Sequence, residues 1–370
     1  MNMKKLAIIG ASYLQLPLIE KAKEMGFQTH VFAWAANDVG EAAADVFYPI
    51  SITETDAITE KCRQIGICGI CSIATDLGNF TVNYVANQLG LPGNSMNCTL
   101  MSTNKHLMRK ALAANGDPSP ASIAVDAQTD LSALTFSYPV IVKPTDRSGS
   151  RGIYKLNNPE QLQGAVREAL RESYEKKALI EEFAEGDEYS VEGISFHGEH
   201  HILAVTKKYT SGAPHFIETG HMEPAPIDTA LYKKIELTIA HALDSLEIKD
   251  SASHSEIRID QSGKISIIEI GSRMGGDCIG SDLVIHSTGI DFLKATIQVA
   301  CGQEPDLTPV GTPCPVEVRF ILSRDDLDEF ERIKRESPER IIRIPDDSHL
   351  NLIGHTTDSS NRAGCYIIRL

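Results

Sequence analysis

Apolar positions in the first hundred residues switch between two spacings. KKLAIIGAS holds a short unbroken apolar run and predicts a buried strand. In LPLIEKAKEMG the apolar residues recur at helical spacing, and Gly26 supplies a C-terminal stop. THVFAW predicts a second strand, residues 54–65 a helix, Ile67–Ala74 another buried strand, and Phe80–Leu89 a helix halted at Gly90. Strands that alternate with helices run parallel, because each helix carries the chain back across a face of the sheet. The first turn, GASYLQ from Gly10 to Gln15, lacks the second and third glycines of a dinucleotide-binding turn. The region therefore reads as a Rossmann-like scaffold rather than an NAD site.

The pattern then changes. Thr103–Asn115 predicts a helix, Tyr138–Lys143 a strand, residues 159–173 a helix opened by Asn158 and Pro159, and Ala178–Phe183 a strand. Tyr189–Phe196 and His201–Val205 predict antiparallel strands around a polar hairpin. Residues 206–226 read as a long, polar, mobile segment and 228–247 as a helix. His254–Asp260 and Lys264–Ile270 form a hairpin through QSG. Val316–Leu322, Arg340–Ile344 and Cys365–Leu370 predict the strands of a β-rich C-terminal segment. The expected class is α/β and α+β. A Rossmann-like parallel sheet spans 1–100, and a two-lobed domain 101–310, its small lobe near 118–183 and its large lobe near 184–310. The β-rich segment spans 311–370.

Charge narrows the partners. Fifty acidic against 35 basic residues leave a net charge of −15, which disfavours general binding to nucleic acid or an anionic membrane. An anionic ligand must be held by a local cluster of donors. No apolar run reaches the length of a membrane span, and Leu6–Ile9 is too short for a secretory core. Eight cysteines in 370 residues do not make a disulfide framework, so reduced thiols and a cytoplasmic location are expected. Cys68 and Cys71, three apart on a strand, point to opposite faces, which argues against a shared metal.

Three segments carry candidate chemistry. In VIVKPTDRSGSRGI, Lys143 ends a strand and can meet a phosphate as a point charge. Gly149 and Gly152 let backbone amides fold over phosphate oxygens, and Ser148, Ser150 and Arg151 add donors. Taken alone, this stretch reads better as a surface loop with a snorkelling lysine. In LIEEFAEGDEYSV, the strand end Glu181, Glu182, Phe183 and Ala184 offers backbone groups to an adenine edge, and Glu188 could hold ribose hydroxyls. In HSEIRIDQSGKISIIEIGSRMGGD, Glu256 and Arg258 share a strand face, and Glu269 stands across the hairpin from Glu256. Adjacent carboxylates repel unless a cation lies between them, and oxygen ligands converging on phosphates suit Mg²⁺. Arg258 and Arg273 can clamp phosphate or carboxylate oxygens, and Gly275 and Gly276 would admit a small substrate to the backbone.

These segments, in this order and at these separations, resemble the ATP-grasp superfamily, which includes D-alanine–D-alanine ligase, biotin carboxylase and the large subunit of carbamoyl phosphate synthetase. The resemblance covers most of the chain and implies ATP with Mg²⁺, or Mn²⁺ in its place. It makes Lys105, in STNKHLMRKAL, and Lys143 the two nucleotide lysines, and TDRSGSRGI the phosphate flap. Glu181 to Ala184 become the adenine hinge, Glu188 the ribose acid, Ile268 a nucleotide contact, and Glu256 and Glu269 the metal carboxylates. One departure stands out. Many members read E-x-N-x-R, whereas here Gly271 sits between Glu269 and Arg273 and offers no side-chain ligand. Either one metal is held less firmly, or Glu269 bridges two.

EIGSRMGGD and KKYTSGAPHFIETGHMEPAP are similar to the amino-acid ligases of the superfamily. The resemblance thus implies activation of a carboxylate as an acyl phosphate and its capture by an amine. Lys143, Arg258 and Arg273 would supply positive charge. His254 and Asp277 are candidate bases or orienting groups, and His221 and Glu218 candidate contacts to the second substrate. Alternatives are another nucleophile, such as a thiol or bicarbonate, or a non-catalytic nucleotide-binding protein. Family analogy also implies a homodimer through the N-terminal domain.

Overall fold

The computed structural model describes residues 3–147, 149, 151–212, 217–347, 349–350, 353 and 362–370. Strands β1 (Lys5–Ile9), β2 (Gln28–Phe32), β3 (Val46–Tyr48) and β4 (Gly69–Cys71) form a parallel sheet in the order β3-β2-β1-β4. The buried run of β1 packs against the helices Leu16–Glu24 and Asp76–Leu89, as the apolar spacing predicts. Asp76–Leu89 starts four residues earlier than the pattern indicates, because the Thr75 hydroxyl caps it by accepting from the Gly78 amide. Cys71 is buried, while the Cys68 Sγ lies 4.0 Å from that of Cys301.

The small lobe is an antiparallel sheet of β5 (Ser122–Val125), β6 (Val140–Pro144), β7 (Tyr154–Leu156) and β8 (Ala178–Glu182), ordered β5-β8-β6-β7. The helix Leu162–Glu172 covers one face through Leu162, Ala165, Val166 and Ala169. The large lobe is an eight-stranded sheet ordered β13-β12-β9-β10-β11-β14-β16-β15. Its members are β9 (Asp187–Phe196), β10 (Glu199–Thr210), β11 (Glu218–Glu223), β12 (Ser251–Ile259), β13 (Ile265–Gly271), β14 (Val316–Ile321), β15 (Ile341–Asp346) and β16 (Gly364–Arg369).

Two readings change. Most of 206–226 is not a mobile loop. β10 runs on to Thr210 and pairs with β11 over Glu218–Glu223. Polar residues mislead here because one face of both strands lines the interior site, where charged side chains are paired rather than solvated. The C-terminal strands, moreover, extend the large-lobe sheet through the pairing of β11 with β14. The hairpin from β9 to β10 turns on only two residues, His197 and Gly198, both with positive φ, the geometry that tight hairpins prefer. The N-terminal sheet and the large lobe share one apolar core, in which Ile194, Ala204, Ala252 and Phe292 join the β1 cluster.

Candidate functional site

Period-two alternation places a row of charged side chains on one face of the large sheet. Glu188 and Glu192 on β9, Lys208 on β10, His221 and Glu223 on β11, and His254 and Glu256 on β12 all belong to it. Glu256 and Glu269 are direct cross-strand partners, as the hairpin predicts. Each is neutralised by a lysine. The Lys208 Nζ is 2.5 Å from Glu256 and 3.3 Å from Glu188, and the Lys105 Nζ is 2.8 Å from Glu269. Burial pushes the Glu256 carboxyl upward, but Lys208 and His254 outweigh it and hold the group well below the usual carboxylate range. In the same way Glu269 outweighs burial and raises the Lys105 ammonium.

Lys143 emerges from β6 almost fully buried, 2.5 Å from Glu181. The Arg109 Nε also donates to Glu181, at 3.1 Å, and its Nη2 donates to the Ile268 carbonyl at 2.7 Å. Glu181 lines the nucleotide-side cavity and is at the same time a buried anchor between two cations, a partnership its expected hinge role did not include. Burial alone would raise its pKa, yet Arg109 and Lys143 hold it low. Burial lowers the Lys143 ammonium, with repulsion from Arg109 and Lys105 adding to it.

Arg258 also departs from expectation. Its Nη1 donates to the Ala184 carbonyl at 3.2 Å, and its guanidinium lies 5.0 Å from the centre of the Phe183 ring. It therefore belongs to the hinge end of the cavity and not to the end with the paired carboxylates. Lys155 covers Phe183 at 3.5 Å. Glu182, Phe183, Ala184, Glu188 and Ile268 line this cavity together with Lys105, Lys143, Gly149, Glu256 and Glu269. Gly149 and Gly152 both have positive φ, as a glycine-rich turn requires. Ser148 and Ser150 lie outside the described residues.

A larger cavity of about 920 Å³ adjoins the first. At the seam, His254 Nδ1 makes a very short hydrogen bond to the buried Glu192, and His254 Nε2 lies 3.5 Å from Glu256. Burial favours the neutral imidazole, but Glu192 overrides it and pushes the pKa up to about 9. His254 is thus an imidazolium at neutral pH, which fits an orienting group better than a free base. Glu192 also accepts from the Gly275 amide at 3.1 Å. A Cβ at Gly275 would stand 2.6 Å from His254 Nδ1, so this glycine is there for packing, not for substrate access. Gly276 has room and lines the cavity.

Asp277 is gripped by Arg362, with Nη1 at 3.0 Å and Nη2 at 2.5 Å, and lies 3.5 Å from His221 Nε2. Arg362 and His221 outweigh burial and hold Asp277 ionised far below the ordinary range, so it cannot take up a proton near neutrality. His221 is fully buried on β11 and its Nδ1 has no hydrogen-bond partner among the described residues. Asp277, Cys278 and Ala74 all adopt positive φ, so backbone strain concentrates at this wall.

Arg273 introduces a residue that motif reading misses. Its Nε donates to Asp76 Oδ1 at 2.8 Å, and its Nη1 to the Met274 carbonyl at 3.2 Å. Asp76 is the first residue of its helix in the N-terminal domain, 197 positions away. Arg109, Glu192, Lys208 and Arg362 were likewise not anticipated. An arginine in an otherwise apolar helical stripe, and a glutamate and a lysine at interior-facing strand positions, were the available signals.

The donor set suits a hard cation bridging phosphates. Two cross-strand carboxylates supply oxygen only, and Gly271 adds no side chain. Among the described residues no group of three or more His, Cys, Asp or Glu could hold a metal by itself. Such an ion would depend on phosphate and water for its other ligands.

Residues 136–281 match the family described as "ATP-grasp domain". The chain is 26% identical over 320 residues to alanine–anticapsin ligase of Bacillus subtilis, covering 75% of this chain and 67% of that protein. It is 23% identical over 339 residues to human carnosine synthase 1, covering 83% of this chain and 41% of that protein. The chain thus spans about two thirds or less of the curated relatives it matches. The crystal structure of L-amino acid ligase from Bacillus licheniformis superposes with a TM-score of 0.82 at 23% identity, over 99% of this chain and 93% of that one, and shows the fold. The match to an ATP-grasp domain thus runs from β6 through β13.

Proposed function

We propose that the protein is an ATP-dependent carboxylate–amine ligase that joins an amino acid to a second small molecule and releases ADP and phosphate. The observation that carries this reading is the seam. Glu256, the cross-strand partner of Glu269, lines both the cavity of the expected nucleotide residues and the larger one, as do His254 and Arg273. A γ-phosphate held at the paired carboxylates would sit where a substrate carboxylate can reach it. The relatives named for joining alanine to anticapsin, or for making carnosine, support the same class.

In the first step a carboxylate oxygen bonds to the γ-phosphorus, and the bond to ADP breaks. In the second, an amine nitrogen attacks the acyl carbon, phosphate departs and the nitrogen loses a proton. Mg²⁺ held by Glu256 and Glu269 would neutralise phosphate charge. Lys143 and Lys105 add fixed positive charge, and the work is positioning and charge neutralisation. Arg273, aligned by Asp76, would clamp a carboxylate. His254, an imidazolium beside Glu256, faces the developing negative charge. The nucleotide-side cavity is about 190 Å³, below the ~300 Å³ of typical small-molecule sites, so it would widen to admit ATP. Its closure would shield the acyl phosphate from water. The eight cysteines, all free, suit a reducing compartment such as the cytoplasm. Among the described residues no helix is long and apolar enough to cross a membrane.

The test is ADP release from ATP and Mg²⁺ over a panel of amino acids, singly and in pairs, with mass spectrometry of the products. Release that requires a particular pair, with a product mass equal to the two minus water, is the expected outcome. ADP release with bicarbonate or a thiol in place of the amine would transfer the reading to another nucleophile.

A further inference from the structure

The larger cavity ends at the carboxyl edge of the N-terminal parallel sheet, the edge where open α/β sheets bind ligands. Three loops there reach it: Tyr13 and Leu14 with Leu16 after β1, Asn37 to Val39 after β2, and Ala74 to Leu77 after β4. The β1 turn lacks phosphate-binding glycines and presents leucines instead. Val39 is 51% exposed and Leu77 44%. Leu14 and Leu16 are half-buried beside them. Around this shelf the cavity carries charges of both signs, among them Asp38, Asp347, Arg151 and Arg362. The volume, about 920 Å³, is at the upper end of the ~300–1,000 Å³ usual for small-molecule sites and exceeds what two very small amino acids fill.

Resting on the ligase reading, we propose that the N-terminal domain forms a side-chain subsite, with Leu14, Leu16, Val39 and Leu77 receiving the aliphatic or aromatic side chain of one amino-acid substrate. The shelf is continuous with the seam at Arg273 and Glu256, so a substrate whose reacting end lies there projects its side chain along the same cavity. Apolar contact gives affinity because the four residues leave water when it binds. A carboxylate side chain laid on these four apolar residues would lose hydration and gain no partner from them, so glutamate and aspartate are disfavoured by desolvation.

The substitutions that test this are mild for the fold. Leu77 is the second residue of the helix Asp76–Leu89 and Val39 the first of the helix Val39–Ala43. Helix N-termini accept aspartate, and both side chains are exposed. With the full chain, ATP and Mg²⁺, kcat/KM for leucine or phenylalanine should exceed that for glycine by about tenfold or more, the scale a few methylenes supply. Glutamate should fall below glycine. Leu77→Asp and Val39→Asp should each reduce the leucine-to-glycine ratio about tenfold, with unchanged melting curves. Equal kcat/KM for leucine, glycine and glutamate, or a preference that survives both substitutions, would overturn the subsite while leaving the ligase intact. If no pair yields ADP, the ligase reading fails. The subsite is then read by calorimetric titration of leucine and phenylalanine into protein holding a non-hydrolysable ATP analogue. Saturable binding abolished by Leu77→Asp supports it, and no binding overturns it.

Discussion

The two cavities that meet at Glu256 are built on different plans. Around the smaller one, four cations are tied to buried or half-buried carboxylates: Lys143 and Arg109 to Glu181, Lys105 to Glu269, Lys208 to Glu256. Most of its wall comes from three short stretches of the small lobe and the β12–β13 hairpin. The larger cavity gathers its wall from the N-terminal loops, the turn around Asp277 and the C-terminal strands, and mixes exposed apolar side chains with charges of both signs. The first is a preorganised charge cage, whose ligand chemistry changes little from one substrate to another. The second depends on how distant elements pack, and that is where selectivity can vary without disturbing the cage.

The cage should fail as a unit. Glu181→Ala leaves Arg109 and Lys143 buried without their shared counter-charge. Removing one partner of a buried pair costs about 3–5 kcal/mol, so the melting temperature should fall by several degrees and nucleotide affinity with it. A variant that melts like the parent would show that water, not Glu181, compensates the two cations. Glu269→Gln is gentler on the fold but strikes the reacting end. We expect turnover to fall about 10²-fold or more while folding persists, with excess Mg²⁺ or Mn²⁺ restoring part of the rate. Full activity would remove Glu269 from the metal set and break the contrast at its centre.

The same contrast explains what could be read from the residues alone. Lys143, the Gly149–Gly152 turn and the Glu256–Glu269 pairing were legible because strand alternation and turn chemistry act over a few residues. The tie from Glu181 to Arg109 and Lys143 was not legible, because two adjacent glutamates at a strand end look alike until the fold shows which one faces the arginine. Arg258 was misplaced for a related reason. Alternation gives its face correctly, but not its distance along the strand from the reacting end. Asp76, Glu192 and Arg362 escaped because their meaning lies in partners 197, 62 and 85 positions away. The 206–226 stretch reads as a loop only if polarity is equated with exposure, and an interior charge row breaks that equation.

Asp76→Asn tests the seam from the side of the larger cavity. Arg273 keeps a hydrogen-bonding neighbour but loses the charge that aligns it. The KM for the carboxylate substrate should rise about tenfold, several times more than the KM for ATP. Equal effects on both would place Arg273 with the cage.

The smallest effect belongs to Glu223, behind the larger cavity and apart from both sets of contacts. It is fully buried, accepts hydroxyl hydrogen bonds from Thr206 and Ser287 at 2.5 Å each, and feels the negative charge of Glu192. Burial pushes its pKa up to about 7, and Glu192 adds to the shift. A carboxyl whose folded pKa is raised binds its proton more tightly in the native state than in the unfolded chain. Its stabilising contribution is complete below about pH 4.5, the unfolded value, and is lost as pH rises through 7. Glu223→Gln removes that titration while keeping the shape. The variant should match the parent near pH 5 and be more stable above pH 8, by about 1 kcal/mol once the imperfect amide pairing is counted. Melting curves at the two pH values measure it. A constant difference across the range would mean that Glu223 keeps one protonation state throughout, and that the larger cavity is insulated from pH in the way the charge cage is.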